Sequence, residues 1–260
     1  MNARGFTLVE LIAVLVVFAV IAALGTGFVA SSFESYSQSV ERTRLVNESR
    51  AVIERIARQL HMALPYSVRV SSSGQCMEFM QITGGSNYFG NLPDTNNGAA
   101  AVATIDTAPF SLNLGGAVHV AVGAMAPGEV YTTSTTASRA TVAATVGNPV
   151  TRINLAANHR FIRNSINERV YVTESPERFC VLANQMQHFS NYGLITGSVN
   201  DADPGGVGAL MANDVVPGSP TFVLSPATET RNSLITIAFG ITRNGETLSV
   251  NHQVQLRNVP

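Results

Sequence analysis

RGFTLVELIAVLVVFAVIAALG, residues 4–25, sets the reading of the whole chain. Residues 11–24 contain no polar side chain, and residues 28–30 prolong the apolar run. About 20 helical residues cross a bilayer core of roughly 30 Å, so this stretch is long enough to span. Arg4 and Glu10 are the only charges among the first 33 residues. A basic residue ahead of a span holds that end in the cytoplasm, which predicts a cytoplasmic N-terminus. Glu10 is the anomaly. A carboxylate costs about 2.5–3.5 kcal/mol at the bilayer centre and less near the interface.

Two readings of Glu10 need no partner. Thr7 and Glu10 have the Thr-x-x-Glu spacing of a capping box, which satisfies helix N-terminal amides. Gln serves a capping box equally well, so that role does not require the charge. A secretory signal peptide is the other alternative, with Ala22 and Ala23 imitating a cleavage site. Its apolar region is shorter, however, and Glu10 would stand at the start of it.

The letters RGFTLVELIAVL closely resemble the processing site of type IV pilins and type II secretion pseudopilins. The pattern is specific: Gly, Phe, Thr-Leu-Val-Glu, then an unbroken apolar run. The resemblance implies that a prepilin peptidase cuts between Gly5 and Phe6 on the cytoplasmic face and N-methylates Phe6. Residues 1–5 are then a leader, 6–30 a transmembrane assembly helix, 31–64 its amphipathic continuation and 65–260 a β-rich pilin domain. The implied location is the inner membrane of a Gram-negative bacterium, single-pass with the domain in the periplasm, and then a pilus. The implied partners are the prepilin peptidase, other minor and major pilins and the inner-membrane assembly platform. Cleavage creates an α-ammonium on Phe6, cationic near neutral pH. Glu10 of one subunit can face that ammonium on its neighbour, where low dielectric strengthens the attraction. The pair then sets the axial register of stacked helices.

Beyond Ala30 the apolar residues Phe33, Tyr36, Val40, Leu45, Val52, Ile53, Ile56, Leu60 and Leu64 recur mostly at three or four positions. That is helical spacing. Arg44–Glu48, Arg50–Glu54 and Glu54–Arg58 stand at i,i+4 and support a helix. Pro65 stops it at or before Leu64. Gly25 and Gly27 fall where lipid gives way to water. Each weakens a helix by about 1 kcal/mol relative to Ala, which allows either local melting on assembly or a flexible membrane exit.

The remainder reads as strands and turns. Strands are predicted at 67–71, 76–83, 117–122, 141–146, 151–156, 169–173 and 178–183. The fold class that follows is α+β: a long N-terminal helix, its first half transmembrane, packed on an antiparallel β-sheet. The clearest unit is LITIAFGITRNGETLSVNHQVQL. Asn244-Gly245 favours a two-residue type I′ turn, which sets Ile241 against Leu248, Phe239 against Val250 and Ile235 against Val254. His252 then faces Ile237 as a half-buried structural histidine. Residues 84–149, rich in Gly, Ala, Thr and Ser, read as insertions or long loops on the sheet.

SVRVSSSGQCMEFM, ERVYVTESPERFCVLANQM and the closing HQVQLRNVP resemble the MshO-type minor pilins of mannose-sensitive haemagglutinin (MSHA) pili. These are relatives of the J-type pseudopilins of type II secretion, and the middle of the chain matches weakly. Two machines therefore remain open: an MSHA-like pilus, entered or initiated by this subunit, and a type II secretion system.

The search for chemistry is mostly exclusion. All 16 basic residues are Arg, so lysine chemistry and a complete Walker A site are ruled out. The formal net charge of −1 offers no basic excess for a nucleic acid. Cys76 and Cys180 suit a disulfide outside the cytoplasm, closing a loop of about 100 residues, with two buried thiols as the alternative. Asp201 and Asp203 in VNDADPGGVG are weak calcium candidates, because Ca²⁺ takes six to eight oxygens; an ordinary acidic turn fits better. His61, His119, His159 and His188 are scattered without ligand spacing. No catalytic residues, metal or cofactor are expected. A secreted β-rich enzyme or carbohydrate-binding protein is the alternative from another class.

Overall fold

The structure, a computed structural model, describes residues 6–112, 115–227 and 231–256. The chain begins with α1 (Leu8–His61) and then β1 (Arg69–Val70), β2 (Cys76–Asn87), β3 (Val102–Phe110) and β4 (His119–Val122). A short α2 (Pro127–Val130) leads to β5 (Arg139–Val146), β6 (Val150–His159), β7 (Arg169–Leu182) and β8 (Gln185–Ser190). The last strands are β9 (Val207–Ala212), β10 (Val215–Ser225), β11 (Leu234–Arg243) and β12 (Glu246–Gln255). The architecture is α+β, with every pairing between named strands antiparallel.

β7 organises the larger sheet. β2 pairs along nearly all of it, while the other side is shared: β4 takes residues 170–173 and β8 takes residues 178–182. The sequence reading breaks this strand at Ser175-Pro176, whereas the structure runs it straight through. Pro176 falls in the gap between β4 and β8, where no ladder asks for the N–H it lacks. β4 leads on through β5 and β6 to β3, and β8 leads to β9. The smaller sheet is β10-β11-β12.

Two cores result. In the helix-proximal core Leu45, Val52, Ile53, Ile56 and Leu60 of α1 pack between the two sheets, against Phe79, Phe179 and Met186 and against Phe222, Ile235 and Ile237. Each such side chain contributes roughly 1.5–3 kcal/mol when fully buried. The distal core joins Ile105, Phe110, Val120, Ile153, Phe161 and Val172 from β3 to β7. Within residues 84–149, β4 and β5 fall at the strands expected over 117–122 and 141–146, whereas β3 stands where a loop was expected. On β3 only Ile105, Thr107 and Phe110 are buried, so little alternation reveals the strand.

The C-terminal hairpin has the expected register, Ile241↔Leu248, Phe239↔Val250, Ile237↔His252 and Ile235↔Val254. Asn244 (φ 51°) and Gly245 (φ 81°) both occupy the left-handed region that a type I′ turn requires. His252 differs from expectation in being exposed. It lines an open groove with Val46, Arg50 and Ile53 of α1, where the helix does not cover the hairpin. The i,i+4 pair of Arg44 with Glu48 also gives way: Glu48 turns to Arg243 of β11, at 3.1 Å. Glu41 (3.8 Å) and Asp214 (3.0 Å) flank the same guanidinium, and Arg42 meets Glu246 at 3.2 Å.

Candidate functional site

The candidate site is the part of α1 that nothing in the domain covers. From Phe6 to Val40 every residue is exposed. Phe18 is 71% exposed and Leu24 72%, far beyond what a water-facing helix tolerates. Residues 8–29 of this helix span about 33 Å at 1.5 Å per residue, matching a bilayer core. Among the described residues α1 is the one helix long and apolar enough to cross a membrane. It runs unbroken through Gly25 and Gly27.

Its first turn holds the Thr-x-x-Glu pair. Thr7 is the N-cap, with extended backbone, and its Oγ1 accepts from the Glu10 backbone N–H at 3.4 Å. Among the described residues no donor reaches the Glu10 carboxylate. Thr7 therefore caps without help from that carboxylate, leaving Glu10 in the first turn with no side-chain partner among the described residues. Phe6 precedes the cap and is 70% exposed. Gly5, and with it the Gly5–Phe6 cleavage position and the leader, lies outside the described residues.

The other residues singled out in the sequence sit in structural roles. Cys76 and Cys180 are opposite each other in the β2–β7 register, fully buried and bonded. In the loop-entropy description a crosslink over this separation stabilises by roughly 4–5 kcal/mol. Asp201 accepts from Ser73 Oγ, and Asp203 Oδ1 accepts from the Gly205 N–H at 2.7 Å, closing a turn. Among the described residues no three His, Cys, Asp or Glu side chains gather as a metal site.

His119 and His159 are buried, and His188 donates toward Glu177 with Arg55 of α1 on its other nitrogen. Burial, and then the Arg139 guanidinium 2.8 Å from Nδ1, lower the His119 pKa to about 4. Burial also lowers that of His159.

One constellation escaped the sequence reading. Glu78, wholly buried, is clamped between Arg69 and Arg178, with Arg178 Nη2 at 2.9 Å. Tyr192 donates to the same carboxylate at 2.9 Å; burial and then the Glu78 charge push its pKa up, so it stays a donor. The two guanidiniums reach on to the Ile195, Gly197 and Asn200 carbonyls and so tie down the loop that carries Asp201. The signal was present. If Cys76 pairs with Cys180 in an antiparallel ladder, Glu78 must stand opposite Arg178.

The domain thus shows a disulfide, a closed ion cluster and packed cores, all internal, while the uncovered N-terminal helix is outward-facing. No curated protein and no solved structure matches the chain. Residues 1–26 match the family model described as the prokaryotic N-terminal methylation motif. That match and the exposed apolar helix together support a pilin-like or pseudopilin-like reading: the chain carries a prokaryotic N-terminal methylation motif, and its helix fits membrane anchoring.

Proposed function

We propose that this protein is a minor pilin, incorporated into or initiating an MSHA-like type IV pilus after prepilin peptidase cleaves between Gly5 and Phe6 and methylates Phe6. Its role is structural and not enzymatic. The observation that carries the reading is the Glu10 carboxylate, without a partner among the described residues, at the head of a bare apolar helix within the matched motif. In lipid such a charge demands a partner. The processed Phe6 ammonium of a neighbouring subunit supplies one, and the pair fixes the axial register while the apolar residues 8–24 form the packing surface. The domain stands in the periplasm and selects neighbouring subunits. The MSHA assignment rests on the chain segments that carry the resemblance.

Mass measurement of the mature N-terminus tests the processing. The expected result is a chain beginning at N-methylated Phe6. An intact Met1, or a start near Gly25, refutes the proposal. Deletion separates the two machines: loss of pili with intact protein secretion fits the MSHA-like pilus, and loss of secretion fits a J-type pseudopilin.

A further inference from the structure

β12 ends the smaller sheet and pairs on one side only, with β11. Its register runs unbroken from Arg243↔Glu246 to Leu234↔Gln255. The tight turn fixes which way its backbone points. Arg243 and Glu246 close that turn as a hydrogen-bonded pair, and bonded pairs alternate with non-bonded ones along an antiparallel ladder. Leu248, Val250, His252 and Val254 therefore direct their amides to β11, and the same alternation brings the Leu256 N–H to the Ser233 carbonyl at 2.9 Å. Thr247, Ser249, Asn251 and Gln253 turn theirs outward, where no partner meets them among the described residues.

A free edge of this kind is a template for another strand, and folded proteins guard it with proline, a bulge or charge. β12 has no proline and no bulge, and its only acid or arginine, Glu246 at the start, is held by Arg42 at 3.2 Å. β10, at the other end of the sheet, is covered instead: its Val215 and Phe222 N–H groups donate to the Asn184 and Gly74 carbonyls, each at 2.8 Å. The open edge of β12 runs along a groove of about 340 Å³ whose second wall is α1. Val46 and Ile53 from the helix and Leu248 and Val250 from the strand give it apolar walls, and Arg50 and His252 line it as well. Among the described residues no acid lines the groove and none pairs with Arg50.

We propose that β12 receives an extended segment of another protein as an added strand, seated in the groove beside α1, with a carboxylate side chain that meets Arg50. Main-chain hydrogen bonds supply the affinity of strand addition, and alternate side chains in the groove supply its selectivity. The inference goes beyond the assembly reading, because it concerns the domain and does not depend on processing at Phe6. A second copy lacks the complementary charge in every strand that ends a sheet. Of β1, β3, β9, β10 and β12, only β3 and β12 contain an acid. Both acids are already taken by arginines, Asp106 by Arg152 at 2.5 Å and Glu246 by Arg42.

The test uses the full-length chain in detergent micelles and a capped heptapeptide of alternating threonine and valine, with one valine replaced by glutamate. Binding should protect the Thr247, Ser249 and Asn251 amides from hydrogen exchange and leave Leu248 and Val250, already bonded to β11, unchanged. Methylating alternate peptide nitrogens should abolish binding for one set and spare it for the other, because only one edge of an added strand faces β12. Glutamate to lysine in the peptide should weaken binding at least tenfold, and Arg50→Glu should reverse that preference. Ser249→Pro removes an outward N–H while sparing the ladder to β11, and should block the peptide with β11 protection intact. The proposal is overturned by an absence of binding, by equal effects of the two methylated sets, or by binding indifferent to Arg50→Glu. Protection of the outward amides that rises with protein concentration before peptide is added makes a second copy the occupant and overturns it too.

Discussion

Glu10 separates two functions that one residue could serve. Thr7 caps the helix by accepting from the backbone N–H of residue 10, so the side chain at that position is not needed for the cap. Glu10→Gln should accordingly leave the helix and its insertion unchanged while removing the charge that a neighbouring ammonium requires. The expected outcome is at least a tenfold fall in the amount recovered in sheared fibres, equivalent to about 1.4 kcal/mol, with membrane levels unaltered on immunoblots. Undiminished incorporation would reduce Glu10 to a spectator. This residue was readable from the sequence because a charge beside lipid is conspicuous. Glu78 was not, because an acid inside a strand looks like any solvated acid until its neighbours across the sheet are known.

Among elements, the β2–β7 ribbon does the most, since both cores are built on it. Cys76–Cys180 and Glu78–Arg178 are alternate cross-strand pairs on it, with Met77–Phe179 between them, one covalent and one ionic. Removing one member of a buried ion cluster leaves the others desolvated without compensation, a loss of about 3–5 kcal/mol. Glu78→Gln strands two guanidiniums in this way and also frees the loop they hold. Urea unfolding in detergent, without reductant, should show that loss with the disulfide still closed; a change within 0.5 kcal/mol, the range roughly expected for surface substitutions, would contradict it.

Elements were legible where one local rule dominates. Asn244-Gly245 dictates the hairpin, and apolar spacing dictates α1. β9 and β10 went unread because their segment is broken up by Gly208, Pro217, Gly218 and Pro220, and the Ala183-Asn184 turn into β8 lacks the usual glycine although both residues have positive φ. Long-range pairing supplies what those segments lack in local preference.

At the scale of the molecule the two halves should answer acid differently. The distal half holds the groups that resist it: His119, His159 and, on the connection between β4 and β5, Glu129. His119 has a folded pKa of about 4 against an ordinary value of 6.5. As pH falls below 6.5 the unfolded chain takes up a proton that the folded chain refuses, so stability is lost progressively until about pH 4. A depression of that size corresponds to roughly 3 kcal/mol. His159 shifts the same way and adds to the loss. For Glu129 burial acts upward, but the Arg163 ion pair and the Met125 amide outweigh it and lower the pKa. Its contribution is present above the unfolded carboxylate pKa and disappears as pH falls through the folded one, below the histidine window.

Hydrogen exchange at pH 7 and pH 4.5, corrected for intrinsic rates, should therefore show protection falling in β4, β5 and β6 while β11, β12 and the end of α1 keep theirs. His119→Asn, which keeps a hydrogen-bond acceptor for Arg139 and removes the titration, should flatten the fall. Equal losses in both halves would mean that the shared β2–β7 ribbon couples the cores into a single unit. The domain would then yield to acid as a whole, and the helix-borne half could not outlast the distal one.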